Sequence, residues 1–254
     1  GSTYCLNQLG DMYWNGNGIK KNIQKSLECY QKAADLGNSN SLLKIGVAYE
    51  NGDEVEKNPS KAIEYYKKAA EKENSQAIRF TGNCYANGIG VKKDISKANE
   101  YYKKAADRGD SESMLKLGSN YRDGNGIQKN SAKAIELFEK CGKSGDPSGY
   151  FYLALMYADG NGIKKDYSKA LKYYEEAAEK EYSNAYVNLG MLYVNGNGVE
   201  TDDNKGFEYF KKAADLDNAQ GAFNTAICYQ NGIGTFTNKS KALEYFKKAD
   251  ALGH

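Results

Sequence analysis

The stretch NSQAIRFTGNCYANGIGVKKDISKANEYYKKAADRG, residues 74–109, decides the fold, because the chain contains seven versions of it. A small residue marks every 36th position, and a tyrosine and a glycine follow it at a constant distance in each copy. The small residues are Gly10, Gly46, Gly82, Gly118, Ala154, Gly190 and Ala226. A segment of this length cannot bury its apolar face alone and must stack on its neighbours. The period therefore predicts an elongated helical repeat protein.

Each repeat divides into two helices joined by a glycine turn. In the quoted stretch, Ala77, Ile78 and Tyr85 follow helical spacing and predict a first helix, helix A. Gly88 stands where a left-handed C-terminal cap belongs, and a second loop glycine, Gly90, follows it. Helix A therefore ends at the turn in every copy.

The second helix, helix B, begins at a capping residue. An asparagine or aspartate, whose side chain accepts a hydrogen bond from the free amides of a helix start, recurs in all seven copies. These residues are Asn22, Asn58, Asp94, Asn130, Asp166, Asp202 and Asn238. Pro59 fits the first helical position. We expect the repeat glycine of helix A to approach the small residues of helix B, such as Ala98, with tyrosines filling the space beside it.

Composition excludes several classes of function. The formal net charge is +2, from 35 basic and 33 acidic residues, so no strong field attracts nucleic acid or an anionic membrane. No segment is long and apolar enough to cross a membrane, and the first residues lack the pattern of a signal peptide. Five cysteines without a fixed pairing predict buried free thiols, which favours a cytoplasmic location. A targeting segment outside this sequence is left open.

Two repeats carry a pattern that resembles a known family. It reads Leu9-Gly10, Tyr13, Gly16, Gly18, Ile19, Lys25, Tyr30 and Ala33-Ala34, and recurs as Leu117-Gly118, Tyr121, Gly124, Gly126, Ile127 and Lys133-Ala134. This pattern resembles the Sel-1-like repeat, a relative of the tetratricopeptide repeat. The resemblance covers essentially the whole chain and implies an all-α, right-handed solenoid of helix-turn-helix repeats. It also implies an adaptor or scaffold, since the family carries no catalytic residue set.

We therefore predict a single solenoid domain over residues 1–254. Its repeats span residues 2–37, 38–73, 74–109, 110–145, 146–181, 182–217 and 218–253. Glycines and Pro147 weaken helix formation over 142–149, which predicts a hinge there. Glu54 replaces the second loop glycine of the second repeat, and Thr235 followed by Phe236 replaces the apolar loop residue of the seventh. We expect both loops to differ in shape.

The resemblance places helix A on the concave face of the superhelix, where residues outside the packing positions are free to contact a partner. Large apolar side chains occupy these positions in the last three repeats and predict a groove for an amphipathic helix or extended peptide. They are Phe151, Leu155, Val187, Met191, Val194, Phe223 and Ile227. Packing between adjacent A helices is the alternative explanation. More polar residues, Arg79, Asn83 and Arg122, predict a second partner-binding region in the first four repeats or a solvated surface.

We find no residue pattern in the sequence that supports catalysis or cofactor binding. The sequence has one histidine, His254, which excludes a histidine-based catalytic group of several residues and most zinc sites. Ser41-Leu-Leu-Lys44 and Ser113-Met-Leu-Lys116 match a Ser-x-x-Lys pattern only because both lie at the same repeat position. We predict a non-catalytic protein-interaction scaffold without metal or cofactor. A structural arm that self-associates through uncapped ends, and RNA or polyanion binding, are the alternatives.

Overall fold

The computed structural model describes residues 2–52 and 55–254, and these residues form fourteen α-helices and no strand. The odd-numbered helices are the A helices and the even-numbered ones the B helices. They are α1 Thr3–Asn15, α2 Ile23–Asp35, α3 Ser39–Asn51, α4 Pro59–Glu71, α5 Ser75–Asn87, α6 Ile95–Asp107, α7 Ser111–Asp123, α8 Ser131–Lys143, α9 Pro147–Asp159, α10 Tyr167–Ala178, α11 Ser183–Asn195, α12 Asp203–Asp215, α13 Ala219–Asn231 and α14 Lys239–Ala251. This order confirms the predicted all-α class and its helix-turn-helix repeats.

Two compact units make up the chain: an N-terminal half, Gly1–Lys129, and a C-terminal half, Asn130–His254. Within each half, the A and B helices of a repeat pack together, and each B helix also contacts the A helix that follows it. The altered loop expected at Glu54 lies outside the described residues. No helix among the described residues has both the length and the apolar character needed to span a bilayer.

The predicted helix-B caps are confirmed. Asp94 accepts a hydrogen bond from the backbone N–H of Lys97 at 2.9 Å, and each of its six equivalents accepts the corresponding bond. Pro59 is the first residue of α4. Side chains also cap A helices: Asn74 caps α5 by accepting a hydrogen bond from the backbone N–H of Ala77 at 3.0 Å. We did not predict these caps from the sequence. Tyr182 opens α11 without a side-chain cap.

The two loop glycines have different physical roles. Gly88 ends α5 with φ +74°, the predicted left-handed cap. Gly90 is also left-handed, but a Cβ there would collide with the carbonyl of Pro59, so this glycine allows the loop to touch the preceding B helix. In the seventh repeat Gly232 and Gly234 keep the same conformation, with φ +74° and +62°. The expected change of loop shape around Thr235 is therefore wrong.

The repeat glycine of helix A lies against an aromatic ring of helix B and next to a small residue of the same helix. A Cβ on Gly46 would lie 2.5 Å from Cε1 of Tyr66, nearer than the 3.2 Å to the carbonyl of Ala62. Gly82 has the same relation to Tyr102, and Gly190 to Phe210. The helix-B aromatic ring, buried in the first six repeats, thus occupies the space that the glycine leaves. The glycine also approaches the small residue of helix B, as expected: a Cβ on Gly190 would lie 3.0 Å from the carbonyl of Gly206, and the Ser26 hydroxyl donates to the carbonyl of Gly10 at 2.7 Å.

Two of the three glycines in segment 142–149, Gly142 and Gly149, are explained by close packing. A Cβ on Gly142 would lie 2.6 Å from the ring of Tyr150, and a Cβ on Gly149 would collide with the backbone N of Gly142. Helix α8 continues through Gly142 to Lys143, and α9 starts at Pro147. The boundary between the two compact units follows Lys129 and therefore lies outside this segment. The hinge stays a prediction, and the packing supplies a different reason for both glycines.

All five cysteines are free. Cys84, Cys141 and Cys228 are buried as predicted, and Cys29 is partly buried. Cys5 on α1 is exposed, which contradicts the expectation for that residue. Its repeat equivalents, such as Ser41 and Ala77, are fully buried.

Candidate functional site

The candidate site in the C-terminal half is the exposed side of α9, α11 and α13, named here the C-half A face. Four of the predicted apolar residues carry it: Met191, Leu155, Val187 and Ile227. The Met191 side chain is 43% exposed, and the other three are partly buried. Helices α11 and α13 contact each other directly. Helices α11 and α13 therefore place Val187, Met191 and Ile227 on neighbouring helices, and Met191 is the most exposed of the three. Leu155 of α9 also packs against the hydrophobic core.

Phe151, which we predicted as an anchor of the groove, is held in an aromatic cluster. Its ring centroid lies 5.1 Å from Tyr182, 5.7 Å from Tyr152 and 5.9 Å from Tyr174. Tyr182 is the residue that opens α11 without a cap, so its ring contributes to packing at the position where other repeats have a capping side chain. Phe151 is partly buried, so its ring packs between α9 and the neighbouring helices and also contributes to the surface.

Two other predicted anchors also have packing roles. Phe223 lies 4.3 Å from the ring of His254 in a stacked arrangement and 5.7 Å from Phe246 in an edge arrangement. Val194 lies against Gly206, where an added Cβ would come within 2.5 Å of its Cγ2 atom. Packing between helices, the alternative kept open from the sequence, therefore applies to these residues in part.

The predicted polar residues of the N-terminal half have partners within the chain. The guanidinium of Arg79 pairs with Asp110 at 3.2 Å and with Glu112 at 2.5 Å, and its side chain is only 14% exposed. The Asn83 side-chain oxygen accepts a hydrogen bond from the hydroxyl of Tyr102 at 2.9 Å. These two residues are preorganised on the A helices rather than loosely solvated.

Arg122 forms a two-pronged pair with its sequence neighbour Asp123, with both N–O distances 2.8 Å. Hydrogen bonding from the Arg122 guanidinium lowers the pKa of the Asp123 carboxyl, and this outweighs the opposing effect of burial. The structure therefore places Arg122 at the end of α7 in a local ion pair.

Tyrosine hydroxyls from the B helices reach acceptors on the A helices in the first three repeats. Tyr30 donates to Asp11 at 2.6 Å, and Tyr66 donates to Glu50 at 2.5 Å. Burial, with the hydrogen bond to the carboxylate, raises the pKa of both phenols. For Tyr102, burial and the charge of Glu112 raise the pKa to about 12. All three hydroxyls stay protonated and serve as donors at neutral pH.

The tyrosine hydroxyl of helix B is absent from three repeats. The fourth, sixth and seventh repeats have phenylalanine, Phe138, Phe210 and Phe246, at the position of these tyrosines. In the sixth and seventh of these repeats, the residues equivalent to Asp11 are Met191 and Ile227. The fourth and fifth repeats do not follow this pairing, because Phe138 occurs with the polar Ser119 at the Asp11 position and Tyr174 occurs with the apolar Leu155 there.

The N-terminal half contains a cleft of about 530 Å³ among its A helices. Its walls come from α1, α3 and α5, and the ring of Tyr30 lies beside them. The lining residues are Asp11, Trp14, Asn15, Tyr30, Leu43, Lys44, Val47, Gln76, Arg79 and Phe80. Of the predicted site residues, only Arg79 lines this cleft. Lys44 and Phe80 escaped the sequence analysis because they occupy a helix-A position that we did not assign to the surface.

The side chains of the described residues offer little reactive chemistry. They contain no group of three or more histidine, cysteine or carboxylate side chains that could hold a metal ion. A repeated lysine lies over the tyrosine of helix A, as in Lys97 and Tyr85, where Nζ is 4.6 Å from the ring centroid. Burial alone would raise the pKa of Tyr85, but hydrogen bonds with Lys97 and Lys67 lower it. This pairing gives the repeated lysine a structural role.

Comparison with known families agrees with the geometry. The sequence model of the Sel1 repeat matches seven consecutive segments: residues 3–38, 39–74, 75–110, 111–146, 147–182, 183–218 and 219–254. The chain belongs to the Sel1 repeat family. Each matched segment starts one residue after the predicted repeat boundary, at the first residue of an A helix. Sel1 repeat proteins generally mediate protein–protein interactions and are generally non-catalytic.

Solved structures of other Sel1 repeat proteins resemble this one. A Sel1 repeat protein from Oxalobacter formigenes is 29% identical with a TM-score of 0.84, and the match covers 96% of this chain and 98% of that one. A protective antigen of uropathogenic Escherichia coli with the same fold is 30% identical with a TM-score of 0.82. That match covers 99% of this chain and 54% of the antigen, so this Sel1 repeat chain spans about half of the antigen's length. An immunity protein of Pseudomonas aeruginosa, 19% identical with a TM-score of 0.54, shares the fold.

Proposed function

We propose that this Sel1 repeat protein is a non-catalytic scaffold that binds a protein or peptide partner on its A helices, with the C-half A face as the principal contact. The exposure of Met191 among Leu155, Val187 and Ile227 carries the proposal. A group of apolar side chains on neighbouring helices marks an interaction surface more specifically than single scattered exposed residues do. The general role of Sel1 repeats in protein–protein interaction supports it.

The structure also shows which variants test the proposal without unfolding the chain. Phe151 and Phe223 are poor choices because their rings are packed in aromatic clusters. Met191→Lys combined with Val187→Thr changes the surface and conserves the volume of the partly buried valine. We expect the double variant to lose the captured partner in an affinity pulldown while its helical circular dichroism is unchanged. Asn204→Lys, an exposed change on the B helix α12, is the matched control.

Capture that is equal for the double variant and the wild type would contradict the assignment of the C-half A face. Capture that is lost only in the Asn204→Lys control would instead place the partner on the B helices. The pulldown is quantified by mass spectrometry, because the partner's identity does not follow from the apolar surface.

A second candidate function, self-association or docking of another repeat array, is favoured by one observation on α1. Leu9 is 39% exposed, whereas its repeat equivalents Ile45, Leu117 and Leu153 are buried. Met12 on the same face is also exposed. If this face mediates self-association, the mass measured by light scattering rises with concentration and returns to the monomer value in Leu9→Glu. Gln24→Glu, an exposed change on α2, controls for the added charge.

A further inference from the structure

Two lysine ammoniums from neighbouring B helices approach the ring of Tyr85 in the N-terminal half. The Nζ atom of Lys97, on α6, lies 4.6 Å from the ring centroid, and that of Lys67, on α4, lies 5.3 Å from it. The ring of Tyr101 stacks on Tyr85 with a centroid distance of 5.6 Å. Both lysine side chains are partly exposed, so both ammoniums can also contact a ligand.

The two ammoniums carry an uncompensated charge. Among the residues that the structure describes, neither Lys67 nor Lys97 forms an ion pair. The charge of Asp94 acts on Lys97, but Asp94 accepts the backbone N–H of that residue as the cap of α6. Burial alone would raise the pKa of the Tyr85 phenol, yet Lys97 and Lys67 together lower it. The pair therefore leaves a local excess of positive charge beside the two stacked tyrosines.

The groove beside this pair favours an anionic ligand. It has a volume of about 430 Å³, and Lys67 and Tyr101 both line it. Its other charged lining residues are Lys104, Arg108, Glu71 and Glu73. Arg108 pairs with Glu73 at 2.8 Å, which leaves two lysines and one glutamate. The three cations and two carboxylates give the lining a net charge of +1, before the ammonium of Lys97 is counted.

The C-terminal half contains the same tyrosine stack with a different charge. Tyr193 and Tyr209 stack at 5.7 Å, and the ammonium of Lys205 donates to the Tyr193 hydroxyl at 2.6 Å. The repeat position of Lys67 is held there by Glu175. The hydrogen bond with Tyr193 and, more weakly, the charge of Glu175 raise the pKa of Lys205. One ammonium and one carboxylate flank this stack, so the excess positive charge at Lys67 and Lys97 belongs to particular repeats rather than to the fold.

We propose that Lys67 and Lys97 bind an aspartate or glutamate side chain of a protein partner, with its carboxylate between the two ammoniums. Charge-assisted hydrogen bonds from the ammoniums supply the attraction, and the groove holds the neighbouring residues of the partner. Glu139 and Glu175 stand at the repeat position of Lys67 in the C-terminal half and interrupt the row of lysines, which argues against a long polyanion such as RNA. The inference rests on the proposed function only in taking the ligand to be a protein. It adds an acidic-ligand site between B helices to the apolar C-half A face.

Capped tripeptides that differ in their central residue test the proposal. Ala-Glu-Ala, Ala-Gln-Ala and Ala-phosphoserine-Ala are titrated to about 10 mM at a low, constant ionic strength, where weak electrostatic binding is least screened. The ¹³C signals of the Lys67 and Lys97 ε-methylene groups are the readout, because Lys103 and Lys211 share the repeat position of Lys67 and each site must be followed separately. We expect both signals to shift in a saturable way with the glutamate peptide. The glutamine peptide is expected to bind at least about tenfold more weakly.

Two substitutions exchange the charges of the two halves. Lys67→Glu gives Tyr85 the arrangement found at Tyr193 and is expected to weaken glutamate-peptide binding at Lys97 by at least about tenfold, with unchanged helical circular dichroism. Glu175→Lys is expected to give the ε-methylene signal of Lys205 a saturable shift that the wild type lacks. Lys32→Glu, an exposed change of equal charge on α2, is expected to leave the shift at Lys97 unchanged.

Loss of the glutamate-peptide shift in Lys67→Glu, with a new shift in Glu175→Lys, supports the proposal. No saturable shift with the glutamate peptide, equal binding of the glutamine peptide, equal affinity in Lys67→Glu and the wild type, or no shift at Lys205 in Glu175→Lys would overturn it. Binding of the phosphoserine peptide without binding of the glutamate peptide would also overturn it, and would assign a phosphoryl group instead. None of these results involves Met191 or Val187, so a failed acidic-ligand site is distinguishable from a failed scaffold function.

Discussion

Replacing Gly46 with alanine is expected to destabilise the N-terminal half by about 2 kcal/mol, although alanine favours helices more than glycine does. The new methyl group would lie 2.5 Å from Cε1 and 2.6 Å from Cδ1 of Tyr66. That ring cannot easily move away. It is fully buried, its hydroxyl is bonded to Glu50, and Phe80 packs beside it.

Three contributions set the expected magnitude. Overpacking of a buried site costs about 1 to 3 kcal/mol. A shift of the ring also weakens a hydrogen bond to a charged acceptor, which contributes about 1.5 to 3 kcal/mol when intact. The gain in helix propensity offsets about 1 kcal/mol of this loss. With partial relaxation of the ring, the net destabilisation is about 2 kcal/mol.

Urea denaturation followed by circular dichroism measures the effect for Gly46→Ala, for Tyr66→Phe and for the double variant. Without its hydroxyl bond, the ring of Tyr66→Phe is freer to move, so we expect Gly46→Ala to be less harmful in that background. Stabilisation by Gly46→Ala of about 1 kcal/mol, as propensity alone predicts, would refute the explanation of the repeat glycine. An equal effect in both backgrounds would refute the role of the hydroxyl.

Three further predictions follow from local features. Glu181→Gly is expected to raise stability by about 0.5 to 1 kcal/mol in urea denaturation, because Glu181 has φ +56° at a helix end that favours glycine; no change or a loss would contradict this. Burial raises the pKa of Cys84 to about 12 and that of Cys228 to about 11, so a thiol reagent at pH 8 should label Cys5 first; fast labelling of the buried pair in the folded chain would contradict their burial. A hinge over 142–149 predicts fast hydrogen exchange there, and uniformly strong protection across the segment would rule it out.

The period of the sequence predicts local structure well. A capping residue or a turn glycine depends on its own few neighbours, and seven copies of each position show the rule repeatedly. Asp94 and its equivalents therefore cap the B helices as expected, and Gly88 adopts the expected left-handed conformation. The family resemblance also leads to the correct fold.

The free surface of helix A is harder to predict because it depends on neighbours that are distant in sequence. Phe151 and Met191 look equally available in the sequence, yet Tyr182 packs on Phe151 while Met191 stays exposed. The cleft of the N-terminal half depends on side chains from three A helices and on the ring of Tyr30 from a B helix. Such combinations follow only from the packed arrangement.

Site-specific photo-crosslinking at position 191 tests the central claim most directly. A photoreactive phenylalanine analogue replaces Met191 in one variant and Asn204 in another, and both are irradiated in extracts of the source cells. The scaffold function predicts a discrete protein adduct from position 191 and none from position 204. An adduct from position 204 alone, or no protein adduct from position 191, would contradict partner binding on the C-half A face.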